Sequence, residues 1–373
     1  MQCGVLCCEP GRRSRGCRIL PAVCHTPYSR CPLPWRQCRP PIRKERLIRS
    51  AAIVMGTAAA LGLLAALLLL TTGTWGSSIH SHQPPINDRP VIGVLAQETH
   101  FKNLRSLGRS YIAASYVKTL ESAGARVIPI KINLPDEEYV KIFKTINGFL
   151  LPGGGVDLQN SEYARVAKIF YDLALTANDK GDYFPIWGTC LGFEQMTVLT
   201  SGELLLTLTK TEDISLPLNF TKNVLESRLF GNIPDRLYTA LSSMSITANF
   251  HSWSLSLQNF TANEKLRKFY HILSTNSDGI LDFISTFEAY DYPFYGVQWH
   301  PEKNPFEWKK TSDISHTAEG VQVAFYMADF FVSEARKSHH QFSDAAQVQY
   351  PLIYNYCPLY TGNISVFEQM YFF

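Results

Sequence analysis

One cysteine carries the strongest chemical signal in this sequence. Cys190 sits in Gly188-Thr189-Cys190-Leu191-Gly192, after an apolar run ending at Trp187 and before a stretch with helical spacing. A nucleophile with a glycine two positions away on either side, between strand and helix, has the pattern of a nucleophile elbow. The chain reverses so tightly there that a Cβ at either flanking position would clash. Such a turn lifts the thiol above the strand ends and aims a helix N-terminus at it. The positive end of the helix dipole, with a nearby histidine, would favour thiolate. A buried cysteine acting as a small hydrophobe is the competing reading, and the pentapeptide alone leaves both open.

Two further clusters could complete a site. Trp299-His300-Pro301-Glu302 follows a strand-like run, Tyr295–Trp299. In extended chain residues i and i+2 point the same way, so Glu302 is expected to face the same site as His300. The carboxylate would hold one imidazole nitrogen while the other meets the thiol, a Cys-His-Glu version of triad logic. Pro152-Gly153-Gly154-Gly155 closes another short apolar run. Backbone free of side chains can approach a bound carbonyl, so the Gly154 and Leu191 N–H groups are the candidate oxyanion donors.

These residues need a scaffold that brings strand ends together. Pro90–Ala96, Arg126–Ile130, Gly148–Leu151 and Phe184–Trp187 read as strands. Between and after them Tyr111–Ala123, Glu137–Ile146, Glu162–Ala177 and Leu191–Leu199 have helical spacing. Ser161 is a candidate N-cap and Gly124 a candidate C-cap glycine. Strands alternating with helices predict a mostly parallel central sheet with helices on both faces. Beyond it, Leu204–Leu208, Ser245–Ala248 and Tyr295–Trp299 are strand candidates, and Glu319–Ala335 is a helix with Val323, Met327, Phe330 and Phe331 on one side. Residues 90–373 show no composition break and are expected to form one catalytic domain.

The first residues behave differently. Residues 1–50 hold 11 of the 35 Lys and Arg but 2 of the 32 acidic residues, and seven of the nine cysteines lie before residue 39. The folded remainder is therefore net acidic, which excludes a nucleic-acid binder, since such a protein keeps its basic excess on the folded part. Ala51–Thr72 is uncharged and mostly apolar after a cationic patch, and small residues follow. That is the order of a secretory signal, or of an uncleaved signal-anchor with its C-terminal side lumenal. Residues 1–54 are expected to be an upstream extension or cytoplasmic leader, 55–76 the signal and 77–89 a linker. Any membrane contact would run through that leader. Three sequons, at Asn219, Asn259 and Asn363, agree with a lumenal route.

In their chain order, the Gly-rich turn, elbow cysteine and His-Pro-Glu resemble the class I glutamine amidotransferase-like hydrolases, of flavodoxin-like architecture. Trp187-Gly-Thr-Cys-Leu-Gly-Phe-Glu194, Asn249-Phe-His251, Tyr295-Gly-Val-Gln-Trp-His-Pro-Glu-Lys303 and Tyr360-Thr-Gly-Asn-Ile-Ser365 narrow the resemblance to the gamma-glutamyl hydrolase family. The resemblance implies cleavage of γ-linked glutamate from folate polyglutamates, in lysosome or medium, by a homodimer needing no cofactor or metal. It implies Cys190 as nucleophile, His300 as acid/base and Glu302 as orienting carboxylate, with Glu194 and His251 at positions of the family's site. Anionic glutamate tails call for a cation near the pocket, and Arg109, beside the first helix, is the candidate. Two other functions compete: a glutaminase feeding ammonia to a synthase, and a non-catalytic membrane-anchored binding protein on the same scaffold.

Overall fold

The computed structural model describes residues 86–373, so the leader, the signal-like run and most of the linker lie outside the described residues. The central sheet has eight strands. In spatial order they are Arg126–Ile130, Val91–Leu95, Gly148–Leu151, Ile186–Thr189, Phe294–Val297, Asp282–Ala289, Tyr270–Ser277 and Asn219–Phe220. The first five run parallel, and the last three add on antiparallel.

The Val91–Leu95 strand shows why the parallel half is apolar throughout. Its five residues are all buried, because alternate side chains enter two different cores. Ile92 and Val94 pack with Val117, Leu120, Met327 and Phe331, beneath helices Ala114–Ser122 and Ala318–Ala335. Val91 and Leu95 pack with Tyr139, Phe143, Phe170 and Phe193, under helices Asp136–Phe143, Glu162–Asp179 and Leu191–Ser201. Ser161 caps its helix by accepting from the Ala164 N–H, and Gly124 takes the left-handed conformation after the first helix.

Several elements differ from the sequence expectation. Tyr111–Ala123 is not all helix: Ser110–Ala113 is a strand, pairing with Gln97–Glu98 on one side and Gln369–Phe372 on the other. The second partner lies far away in the chain, so local spacing carries no trace of that pairing. The Leu204–Leu208 and Ser245–Ala248 candidates become one long antiparallel ribbon, Leu206–Leu216 with Thr247–Leu255. Polar residues occupy both of its faces, Lys210 and Glu212 exposed and Thr209 and Thr211 buried, which hid the strand period. The strand expected over Tyr295–Trp299 spans Phe294–Val297. Beyond it the Gln298 N–H still reaches Ser285 O at 2.8 Å, but the His300 N–H turns to Ala248 O at 2.9 Å.

Candidate active site

Cys190 stands between the Ile186–Thr189 strand and the Leu191–Ser201 helix, with φ 50° and ψ −108°. A non-glycine residue held there costs about 1–3 kcal/mol. The surroundings hold the turn in place: the Cys190 N–H donates to Val297 O at 2.8 Å, and its carbonyl accepts from the Glu194 N–H at 2.9 Å. Both flanking glycines are sterically required. A Cβ on Gly192 would lie 2.0 Å from the Leu151 carbonyl oxygen, and one on Gly188 would lie 2.7 Å from the Gly192 carbonyl.

His300 follows the neighbouring parallel strand, tied to the Thr247–Leu255 ribbon strand through Ala248 O. His300 Nδ1 and Glu302 Oε1 are 2.7 Å apart, and both side chains are buried. The expected pairing therefore forms, but not through extended chain. Residues 301–302 turn, and Glu302 is helical at the cap of the short helix Lys303–Phe306. With the carboxylate on Nδ1, the imidazole proton belongs there and Nε2 is left as the base. His300 Cε1 and Cys190 Cβ meet over one backbone position: a Cβ on Gly153 would lie 2.6 Å from the first and 3.2 Å from the second.

Burial governs the proton equilibria. It pushes the Cys190 thiol well above its usual value, and the nearby Glu194 carboxyl adds to this; the Leu191 N–H pulls the other way. Burial also pushes the His300 imidazole down, against the pull of Glu302. Glu302 is raised by burial but ends below the usual carboxylate range because His300 outweighs it. Burial thus favours the neutral forms of both thiol and imidazole, opposite to the thiolate that a helix dipole and a histidine alone would favour.

A cleft of about 450 Å³ opens onto the thiol. Gly154, Cys190, Leu191, Glu194, Phe250 and His251 are among its lining residues. Glu194 is buried, accepts from Gln298 Nε2 at 2.9 Å, and is pushed up to about 8 by that burial. His251 comes from the long ribbon; burial lowers it to about 3, so it is neutral in the working range. The structure thus brings Glu194 and His251 to the cysteine. It does not bring Arg109, which is exposed and outside the cleft lining. Among the described residues no Lys or Arg lines this cleft. The cation whose charge reaches the thiol is Lys303, buried between the Phe250 and Phe367 rings.

Sequence reasoning gave no role to Gln97, Tyr116, Gln298 or Lys303. Gln298 lies two residues before His300, so a spacing argument could have found it. The sequons differ in setting: Asn219 and Asn363 are exposed, whereas Asn259 is half-buried and its Nδ2 donates to Leu205 O at 2.7 Å.

The mostly parallel sheet with a cysteine elbow at its strand ends defines a class I glutamine amidotransferase-like enzyme. The chain belongs to the Peptidase C26 family, whose model matches residues 90–302. It is 56% identical over 311 residues to a gamma-glutamyl hydrolase of Bos taurus, covering 83% of this chain and 98% of that one. It is 54% identical over 311 residues to a gamma-glutamyl hydrolase of Homo sapiens, with the same coverage.

Proposed function

We propose that this enzyme hydrolyses γ-glutamyl amide bonds of folate polyglutamates through a Cys190 thioester. The observation that carries the reading is the 2.7 Å His300–Glu302 contact beside a cysteine held in a strained elbow. His300 Nε2 takes the thiol proton as sulfur attacks the side-chain carbonyl carbon of the γ-glutamyl group. The carbonyl π pair moves onto oxygen, where the Gly154 and Leu191 N–H groups receive it. As the C–N bond breaks, His300 returns the proton to the leaving amine. Water, deprotonated by the same imidazole, then attacks the thioester, and the thiol is restored as the new carboxylic acid leaves.

Burial favours the neutral form of the His300 imidazole, the form able to take the thiol proton in a mildly acidic lumen. A protonated Glu194 hydrogen-bonds substrate there without repelling the anionic tail. The same proposal includes entry to the secretory route through residues 55–76, lysosomal or extracellular residence, glycans at exposed sequons and a homodimer. Incubating the purified protein with a folate polyglutamate at acidic pH, and identifying products by mass, tests the activity. Intact substrate with active-site thiol present would sink it, as would ammonia release from free glutamine as the only reaction.

A further inference from the structure

The loop that carries Gly154 is pinned at several backbone polar groups. Tyr163 OH donates to Pro152 O at 2.8 Å, and the Gly153 N–H donates to Tyr116 OH at 2.8 Å. Gln97 Nε2 donates to Gly153 O at 2.8 Å, and the Gly155 N–H reaches Gln97 Oε1 at 3.4 Å. One amide side chain therefore spans Gly154, holding the C=O of the Gly153–Gly154 peptide and the N–H of the Gly154–Gly155 peptide. Gln97 is itself buried, on the short Gln97–Glu98 strand that pairs with Ser110–Ala113.

A trans peptide is planar, with its C=O and N–H pointing in opposite directions. Holding Gly153 O against Gln97 therefore turns the Gly154 N–H away from Gln97. Gly153 is buried, whereas Gly154 is exposed and lines the cleft with Cys190 and Leu191. The closeness of the clamp also explains the glycine, since a Cβ on Gly154 would lie 1.8 Å from Gln97 Oε1.

We infer that Gln97 is a positioning residue that fixes the Gly153–Gly154 peptide with its N–H toward the reacting carbonyl, so the oxyanion site is formed before substrate arrives. The inference rests on the hydrolase reading above. This role differs from plain packing, because the N–H orientation that the clamp holds counts only once negative charge sits on the substrate oxygen.

Two variants test it. Gln97→Met removes the donor, and Gln97→Glu keeps the acceptor for Gly155 but places an anionic oxygen against Gly153 O. Loss of one oxyanion donor costs about 10²–10³ in kcat, so Gln97→Met is expected to lose that much kcat with KM unchanged. Its affinity for a γ-glutamyl aldehyde, which adds the thiol to give a tetrahedral oxygen, should fall by a similar factor. Alkylation of Cys190 by iodoacetamide, which forms no oxyanion, should keep its wild-type rate. Gln97→Glu should regain activity as pH falls and the introduced carboxyl becomes a donor again. Glu98, His100, Tyr116, Tyr163, Cys190 and His300 lie around this loop in wild type as well, so the ratio to wild type isolates the introduced group. If both variants fold and keep wild-type kcat and aldehyde affinity while Cys190→Ala is inactive, the Gln97 inference is overturned and the hydrolase reading stands. If Cys190→Ala retains activity, the hydrolase reading itself fails. Equal loss in alkylation and catalysis, with no acid recovery, would reduce Gln97 to packing and also overturn the inference.

Discussion

Glu194→Gln should make the protein more stable than wild type, and increasingly so as pH rises. Burial lifts the Glu194 carboxyl from its ordinary 4.5 to about 8. At about 1.4 kcal/mol per pH unit, full ionisation costs the native state about 5 kcal/mol. The sign follows from proton counts: between pH 4.5 and 8 the unfolded chain has released this proton and the native protein has kept it. Stability therefore falls with rising pH across that window and levels off above it. Glutamine removes the dependence and keeps the oxygen that accepts from Gln298 Nε2. Urea unfolding of both proteins at pH 5, 6, 7, 8 and 9 measures it, since other titrating groups are common to both and cancel. The stability difference should be small at pH 5 and grow toward that magnitude by pH 8–9. A difference flat with pH would mean that Glu194 ionises normally, and the burial argument would be wrong. In the same proteins, KM for a polyglutamate should rise above pH 8 in wild type alone, where ionised Glu194 repels the tail.

Three further outcomes follow from the site. Cys190→Ala should lose at least as much activity as His300→Ala, and both more than Glu302→Gln, with the Cys190/His300 double variant no worse than Cys190→Ala; steady-state rates on one γ-glutamyl substrate check the order. Gly192→Ala, which sets a Cβ 2.0 Å from Leu151 O, should destabilise by about 1–3 kcal/mol and displace the thiol, read as a lowered Tm with lost activity. Among the described residues Cys190 is buried and Cys357 exposed, with no disulfide between them; alkylation mapped by peptide mass should be fast at Cys357 and slower at Cys190, whereas a single rate for both would contradict the raised thiol value.

The alternation of apolar runs with helical spacing was enough to place four of the five parallel strands, with Tyr295–Trp299 a strand candidate at the fifth, because a strand buried on both faces must be largely apolar. The elbow was legible because two glycines stand at fixed offsets from Cys190: Gly188 answers a clash inside the turn, with the Gly192 carbonyl, whereas the demand on Gly192 comes from Leu151 on a neighbouring strand. His300 and Glu302 were legible as a pair, although the turn that joins them was not. What the sequence could not show was set by contacts between distant segments. Ser110–Ala113 is a strand because Gln369–Phe372 and Gln97–Glu98 flank it. Gln97 reaches the Gly-rich loop only through that pairing. His251 enters the cleft on a ribbon whose register with Thr211 is a tertiary matter. Arg109 had the right charge and the right neighbourhood in the chain, yet the fold leaves it in solvent. Side-chain type and short-range spacing decided which chemistry was possible; burial and long-range pairing decided which groups meet the thiol and in which protonation state.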